Sequence, residues 1–247
     1  MKKVFIDGSA GTTGLRIRDR LAQRDDIKLI ELPEEKRKDT QARRKALNSA
    51  DISFLCLPDA AAIEAAELVE NENTVILDTS TAHRTAPGWA YGFPELSAEF
   101  EAKIISSKRI AVPGCHASGF IALVYPLIEA GLLGKDALLS CTSLTGYSGG
   151  GKKMIAEYEG YDKGAPLFAP RQYGTSQQHK HLKEMKAVCG IEESPIFCPI
   201  VDDYYSGMEV TVPIFARQLK SGGIEDIKAV YAEKYTGPVV TFGDESQ

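Results

Sequence analysis

A chain of 247 residues, 43% hydrophobic and 26% charged, has the composition of an ordinary globular protein and the length for one large domain or two smaller ones. Its net charge of −5 supplies no basic field for a nucleic acid or an anionic membrane, so neither is expected as a partner. No apolar run is long enough to span a bilayer, and Asp7 interrupts the start MKKVFID before it resembles a signal peptide, so a cytoplasmic protein is expected.

The first elements alternate. KKVFID is a short β-rich run. GSAGTTG follows, then LRIRDRLAQRD with Leu15, Ile17 and Leu21 at helical spacing. IKLIEL reads as a second strand, and PEEKRKDTQARRKALNSA as charged and mostly helical. DISFLCL is a third strand, DAAAIEAAELVEN an Ala-rich helix, and TVILDTS a fourth strand. Near-continuously apolar strands separated by helices predict an α/β fold, a parallel sheet covered on both faces, over residues 1–113.

Beyond residue 112 the texture changes. GFIALVYPLIEAGLL is a long apolar helix with Pro126 as a kink point. ALLSCTSLTG, IFCPIV and MEVTVPIFA are strand-like. Between them lie the glycine-rich GYSGGGKK and a helix around SQQHKHLKEMKAV, and IEDIKAVYAEKY is a further helix. A mixed α+β second domain over residues 114–247 is expected. There is no internal repeat.

Gly8, Gly11 and Gly14 sit directly after the first strand and open the first helix. Backbone N–H groups and a helix N-terminus there suit a pyrophosphate. The spacing is GxxGxxG, weak alone and strengthened by the strand before it and the helix after it. Glu31, at the end of the second strand, suits the ribose of NAD, whereas Lys36, Arg37 and Lys38 suit the 2′-phosphate of NADP. The sequence leaves the two cofactors open.

Five cysteines, an odd number with no CxxC, argue against a disulfide scaffold or a metal site. Cys56 and Cys198 read as small core residues. Cys115 differs: it lies between Pro113-Gly114 and a helix, where the dipole favours the thiolate. A thiolate nucleophile needs an acid–base partner. Thr175 and Gln178 have capping-box spacing, which predicts His179 and His181 in the first turns of a helix, on nearly opposite faces. His181, with Glu184 three residues on, is the first candidate and His179 the second. His116 is read as packing or substrate contact. Ser80, His83 and Arg84 follow the fourth strand, at the face where such sheets bind ligands. A dinucleotide site combined with an activated cysteine points to hydride transfer at an acyl carbon through a thioester.

The chain resembles the N-acetyl-γ-glutamyl-phosphate reductases of arginine biosynthesis, in their shorter bacterial type. The matching stretches are GSAGTTGLRIRDRL, ELPEEKRKD, FLCLPDAAA, LDTSTAHR, WAYGFPEL, VPGCHASGF, TGYSGGGKK and QQHKHLKEM, in order along nearly the whole chain. The resemblance implies a Rossmann-type NADP domain joined to an α+β catalytic domain like those of aspartate-semialdehyde and glyceraldehyde-phosphate dehydrogenases. It implies NADPH-dependent reduction of N-acetylglutamyl 5-phosphate, an acyl-phosphate substrate, with release of phosphate. Cys115 is then the thioester-forming nucleophile, with His181 as acid–base and Glu184 in support. Gly8, Gly11, Thr12, Gly14 and Ser80 are expected at the cofactor, with Arg37 and Lys38 at its 2′-phosphate. Arg84, Ser148, Gly149, Arg171 and His179 are expected at the substrate. A homo-oligomer, dimer or tetramer, is implied. Family members usually continue past VVTFGDESQ with a segment returning to the dinucleotide domain, and that segment is expected to be missing here. The alternatives are the same chemistry on an aspartyl or aminoadipyl phosphate, or a non-catalytic NADP-binding protein.

Overall fold

The computed structural model describes residues 1–243; the last four residues of the expected catalytic domain lie outside the described residues. The chain forms two compact units. One comprises Met1–Gly92, Ala102–Pro113 and Gly150–Met154; the other comprises Phe93–Glu101, Gly114–Gly149 and the chain from Ile155. Residues 93–101 and 150–154 thus fall across the division expected at 113/114.

The first unit is built on β1 (Lys2–Asp7), α1 (Thr12–Leu21), β2 (Ile27–Ile30), α2 (Thr40–Ser49), β3 (Ile52–Leu55), α3 (Asp59–Glu67), β4 (Val75–Asp78) and β5 (Ala90–Tyr91). The helix α4 (Ala98–Ser106) leads to β6 (Arg109–Ala111). The six strands run parallel in the order β2-β1-β3-β4-β6-β5. Parallel strands require crossovers, and their helices bury Phe5, Leu47, Leu55, Ala65, Leu68 and Ile76 in a common core. Asp39 caps α2 by accepting from Ala42 N at 2.7 Å. The charged stretch before it supplies only one short 3₁₀ turn, Glu34–Lys36.

The second unit comprises α5 (Cys115–Glu129), β7 (Ser140–Gly146), α6 (Gly151–Glu159, whose first turn belongs to the first unit), β8 (Arg171–Gln172), α7 (Lys180–Cys189), β9 (Ile196–Asp202), β10 (Met208–Thr211) and α8 (Ile224–Lys234). Its mixed sheet has the order β10-β7-β9-β8, with β7 and β9 parallel. Alternation fixes the faces: Cys141, Ser143 and Thr145 of β7 and Phe197, Pro199 and Val201 of β9 are buried. The helix α5 packs on α7, α8 and β10. Its Phe120, Ile121, Val124 and Leu127 are wholly buried, each contributing about 2 kcal/mol.

Pro126 does not end α5, which runs on to Glu129. Proline removes the N–H that would bond to Ala122 O. The Tyr235 hydroxyl donates to that carbonyl instead, at 2.7 Å, and the Tyr231 hydroxyl donates to Leu123 O at 2.5 Å. Burial raises both phenols, Tyr231 to about 12.

The cysteines sort differently from their expected places. Cys141 and Cys189 are buried, whereas Cys56 and Cys198 are only half-buried.

Candidate active site

The chain leaves β1 at Asp7 and turns at once through Gly8, whose φ is 85°. A Cβ on Gly8 would lie 2.2 Å from Cys56 O, and one on Gly14 would lie 2.4 Å from Gly8 O. A Cβ on Gly11 would meet nothing nearer than Gly8 O at 3.3 Å. Backbone crowding thus demands the outer two glycines, and Gly11 leaves room for a group to approach the turn. Gly11 caps α1 without a side-chain bond, Thr12 is the first helical residue, and no acid occupies the first turn. Exposed helix N–H groups with the positive end of the dipole fit a pyrophosphate.

A cavity of about 790 Å³ opens at this turn, lined by Gly8, Ser9, Glu31, Arg37, Lys38 and Lys152 among others. Lys152, from the glycine-rich stretch, was not foreseen there. Under the turn, buried Arg43 joins Asp7 at 3.0 Å and Glu64 at 3.2 Å. Burial still pushes the Asp7 carboxyl up, against the lowering effect of Arg43.

After β4 the loop closes on itself. Asp78 accepts from Ser80 N at 2.9 Å and Ser80 Oγ at 2.7 Å, and pairs with His83 Nδ1 at 2.6 Å. The His83 ring stacks on Trp89, centroids 3.9 Å apart. Arg84 donates to Val112 O at 2.9 Å and Thr79 O at 3.1 Å. Ser80 and Arg84 are thus engaged with their own loop and the neighbouring strand end.

In the second unit, Cys115 is the first residue of α5 and is exposed. Gly114 caps the helix and no acid lies in its first turn, an environment that favours thiolate. The other cysteines show the contrast: burial raises Cys56 to about 11 and Cys141 to about 12. The carboxylate of Glu184 accepts from Gly114 N at 2.8 Å.

Three imidazoles gather beside this helix start. His116 is buried, with Nδ1 2.7 Å from Ser143 Oγ and Nε2 2.8 Å from the Tyr173 hydroxyl. Burial, with His179 nearby, lowers it to about 4. Burial also lowers His179. Tyr173 is raised to about 12, first by burial and then by the charge of Cys115.

The expected helix start is corrected. No cap forms at Thr175; α7 begins at Lys180, and His179 is its N-cap, extended at φ −66° and ψ 137°, with Nδ1 accepting from His181 N at 3.2 Å. Outside the helix, His179 need not oppose His181, and the two rings lie 4.7 Å apart. Both therefore belong to one cluster, with His116 5.5 Å from His181 and 5.7 Å from His179.

The turn Tyr147–Gly150, holding Ser148 and Gly149, is pinned by Ser148 N donating to Tyr205 O at 2.9 Å. Arg171 directs its fork at the Tyr158 hydroxyl, at 3.0 and 3.2 Å. Ser143 and Tyr173 were missed because only the fold brings them to His116; the one sequence signal was Tyr173 within the YGTSQQHKH stretch. Among the described residues, no cluster of His, Cys, Asp or Glu could hold a metal ion, and no helix is long and apolar enough to cross a membrane.

Two family models match in succession: the semialdehyde dehydrogenase NAD binding domain over residues 3–104, and the semialdehyde dehydrogenase dimerisation domain over residues 115–245. An N-acetyl-gamma-glutamyl-phosphate reductase of Chelativorans sp. (strain BNC1) is 46% identical, over 95% of this chain and 76% of that protein. One from Trichormus variabilis is 44% identical, over 99% and 79%. The fold is shared with an aspartate semialdehyde dehydrogenase from Candida albicans, solved with NADP, at a TM-score of 0.67 and 16% identity, over 95% of this chain and 77% of that one. The chain therefore carries a nicotinamide-dinucleotide domain followed by a semialdehyde dehydrogenase dimerisation domain, and it belongs to the N-acetyl-gamma-glutamyl-phosphate reductase family.

Proposed function

We propose that this chain reduces N-acetyl-L-glutamyl 5-phosphate with NADPH to N-acetyl-L-glutamate 5-semialdehyde and phosphate, as a step of arginine biosynthesis. The observation that carries the reading is an exposed cysteine at the start of a helix, followed by a histidine cluster in which His116 and His181 are buried, in a chain of this family.

Cys115 Sγ attacks the acyl carbon, and the C–O bond to phosphate breaks with its electron pair going to phosphate, leaving a thioester. The cofactor, when bound, supplies a hydride to the thioester carbon. Cys115 then leaves as thiolate and the aldehyde is released. His181 is the acid–base: neutral at rest, as the positive end of α7 favours, it takes the thiol proton as Cys115 attacks, gives it to the oxygen that gains charge in reduction, and takes it back as the C–S bond breaks. Glu184 is a positioning residue, holding Gly114 and so the start of α5. Ser148, Gly149, His179 and Arg171 are assigned to the substrate.

Gly8, Gly11, Thr12 and Gly14 hold the pyrophosphate, with Ser80 nearer the sheet's carboxyl end. NADP is the preferred cofactor in this reading, supported by Arg37 and Lys38 at the cavity. Arg84 binds substrate or, through Val112 O, steadies the strand end before Cys115. A homo-oligomer in the cytoplasm completes the assignment.

The test is the reverse reaction. Purified protein is given N-acetylglutamate semialdehyde, phosphate and NADP, with aspartate semialdehyde in parallel. NADPH formation should require phosphate and favour the acetylated substrate. Phosphate-independent turnover, or a preference for aspartate semialdehyde, contradicts the reading.

A further inference from the structure

Glu31 directly follows β2, the place where a carboxylate accepts from the ribose hydroxyls of NAD and repels a 2′-phosphate. A chain that prefers NADP must deal with that acid. Here Glu31 is already engaged: Arg18 Nε and Nη2 both lie 2.8 Å from Glu31 Oε1. Arg18 stands two turns into α1, on the face that also carries Leu15, and both line the cavity at the glycine turn. The same cavity wall bears Arg37 and Lys38, with Glu34 and Glu35 beside them. The guanidinium on Glu31 thus offsets the charge that would repel a phosphate dianion, leaving Arg37 and Lys38 to attract it.

We propose that Arg18 determines the cofactor preference of this enzyme by closing on Glu31, so that the acid neither repels the 2′-phosphate of the dinucleotide nor stands free for a ribose hydroxyl. The proposal deepens the NADP reading above and rests on it. Arg37 and Lys38 attract the phosphate, whereas Arg18 acts through Glu31, occupying its Oε1 and offsetting its charge. The pair is exposed, with side-chain exposures of 46% and 60%, so little stability depends on it and variants should fold.

Binding of NADPH and NADH to the substrate-free protein, read by cofactor fluorescence, tests this. Wild type should bind NADPH more tightly. Arg18→Gln should weaken NADPH by about tenfold or more, and strengthen NADH several-fold because Glu31 becomes able to accept from the ribose. Adding Glu31→Gln should remove the NADH gain without restoring NADPH. Arg37→Ala with Lys38→Ala should weaken NADPH with no NADH gain. Unchanged melting temperatures would show that the variants are folded. Equal losses of both cofactors in Arg18→Gln, or an NADH gain that persists in the double variant, overturns the role of Arg18. Equal binding of both cofactors by wild type instead refutes the NADP reading, whereas a wild-type preference that Arg18→Gln retains refutes the Arg18 assignment alone.

Discussion

Glu184, in the second turn of α7, accepts a hydrogen bond from the backbone N–H of Gly114 at 2.8 Å, and Gly114 is the cap of the helix that Cys115 begins. Burying a carboxylate costs free energy unless donors satisfy it, and the Gly114 N–H supplies one. Its effect is to hold the nucleophile's own turn from seventy residues away in sequence.

Glu184→Ala should therefore lower kcat about tenfold to a hundredfold with a smaller change in KM, because a misplaced nucleophile costs the chemical step. Glu184→Gln, which keeps an acceptor oxygen, should recover much of the loss. Steady-state kinetics check this; equal kcat in wild type and the Ala variant would remove the positioning role.

His116 gives a stability signature. Its folded form stays neutral down to about 4, whereas an unfolded imidazole protonates near 6.5. As pH falls through this interval the unfolded chain takes up a proton that the folded chain refuses, so stability is lost. The contribution is full above 6.5 and falls by on the order of 3 kcal/mol by pH 4. Urea melts across this range should show a shallower slope in His116→Gln than in wild type. Parallel slopes would mean that His116 titrates normally in the fold.

The two α7 histidines separate by mutation. His179 is the helix cap and His181 lies inside the first turn. His181→Ala should lose about a hundredfold or more in turnover, the scale of a lost acid–base group. His179→Ala should lose less, and part of its loss should appear in KM. Kinetics of both variants decide it, and the reverse order would make His179 the acid–base.

Tyr235 and Pro126 form a testable pair. Tyr235→Phe should cost about 1–3 kcal/mol, because Ala122 O loses its donor in a buried helix. In a Pro126→Ala background the restored N–H can serve that carbonyl, and the cost should shrink. Denaturant unfolding of the four proteins reads the coupling; additive costs would show that the hydroxyl does not replace the missing N–H.

Much of this architecture was legible in the sequence because it is locally encoded. The apolar strands of the first unit, the glycine turn and the cysteine at a helix start each follow from neighbours in the chain. Short elements were not legible: β5, β6 and β8 have two or three residues, too few for a period to register. The helix α6 begins inside a triple glycine, which by itself reads as loop. Thr175 and Gln178 imitated a cap, but Gly174 at φ 63° and Gln177 at φ 57° keep that stretch out of helix until His179. The side-chain pairings that shape the site, Arg18 with Glu31, Arg171 with Tyr158 and His116 with Ser143 and Tyr173, join residues 13 to 57 positions apart. No local pattern announces them.

The central claim is that Cys115 carries the acyl group. Protein mixed with N-acetylglutamate semialdehyde and NADP, without phosphate, should accumulate the thioester, since the acceptor that releases it is absent. Rapid acid quench and peptide mass spectrometry should find the N-acetylglutamyl adduct on the peptide containing Cys115, with none in Cys115→Ser. An adduct on another cysteine, or phosphate-dependent turnover in Cys115→Ser, would contradict the account.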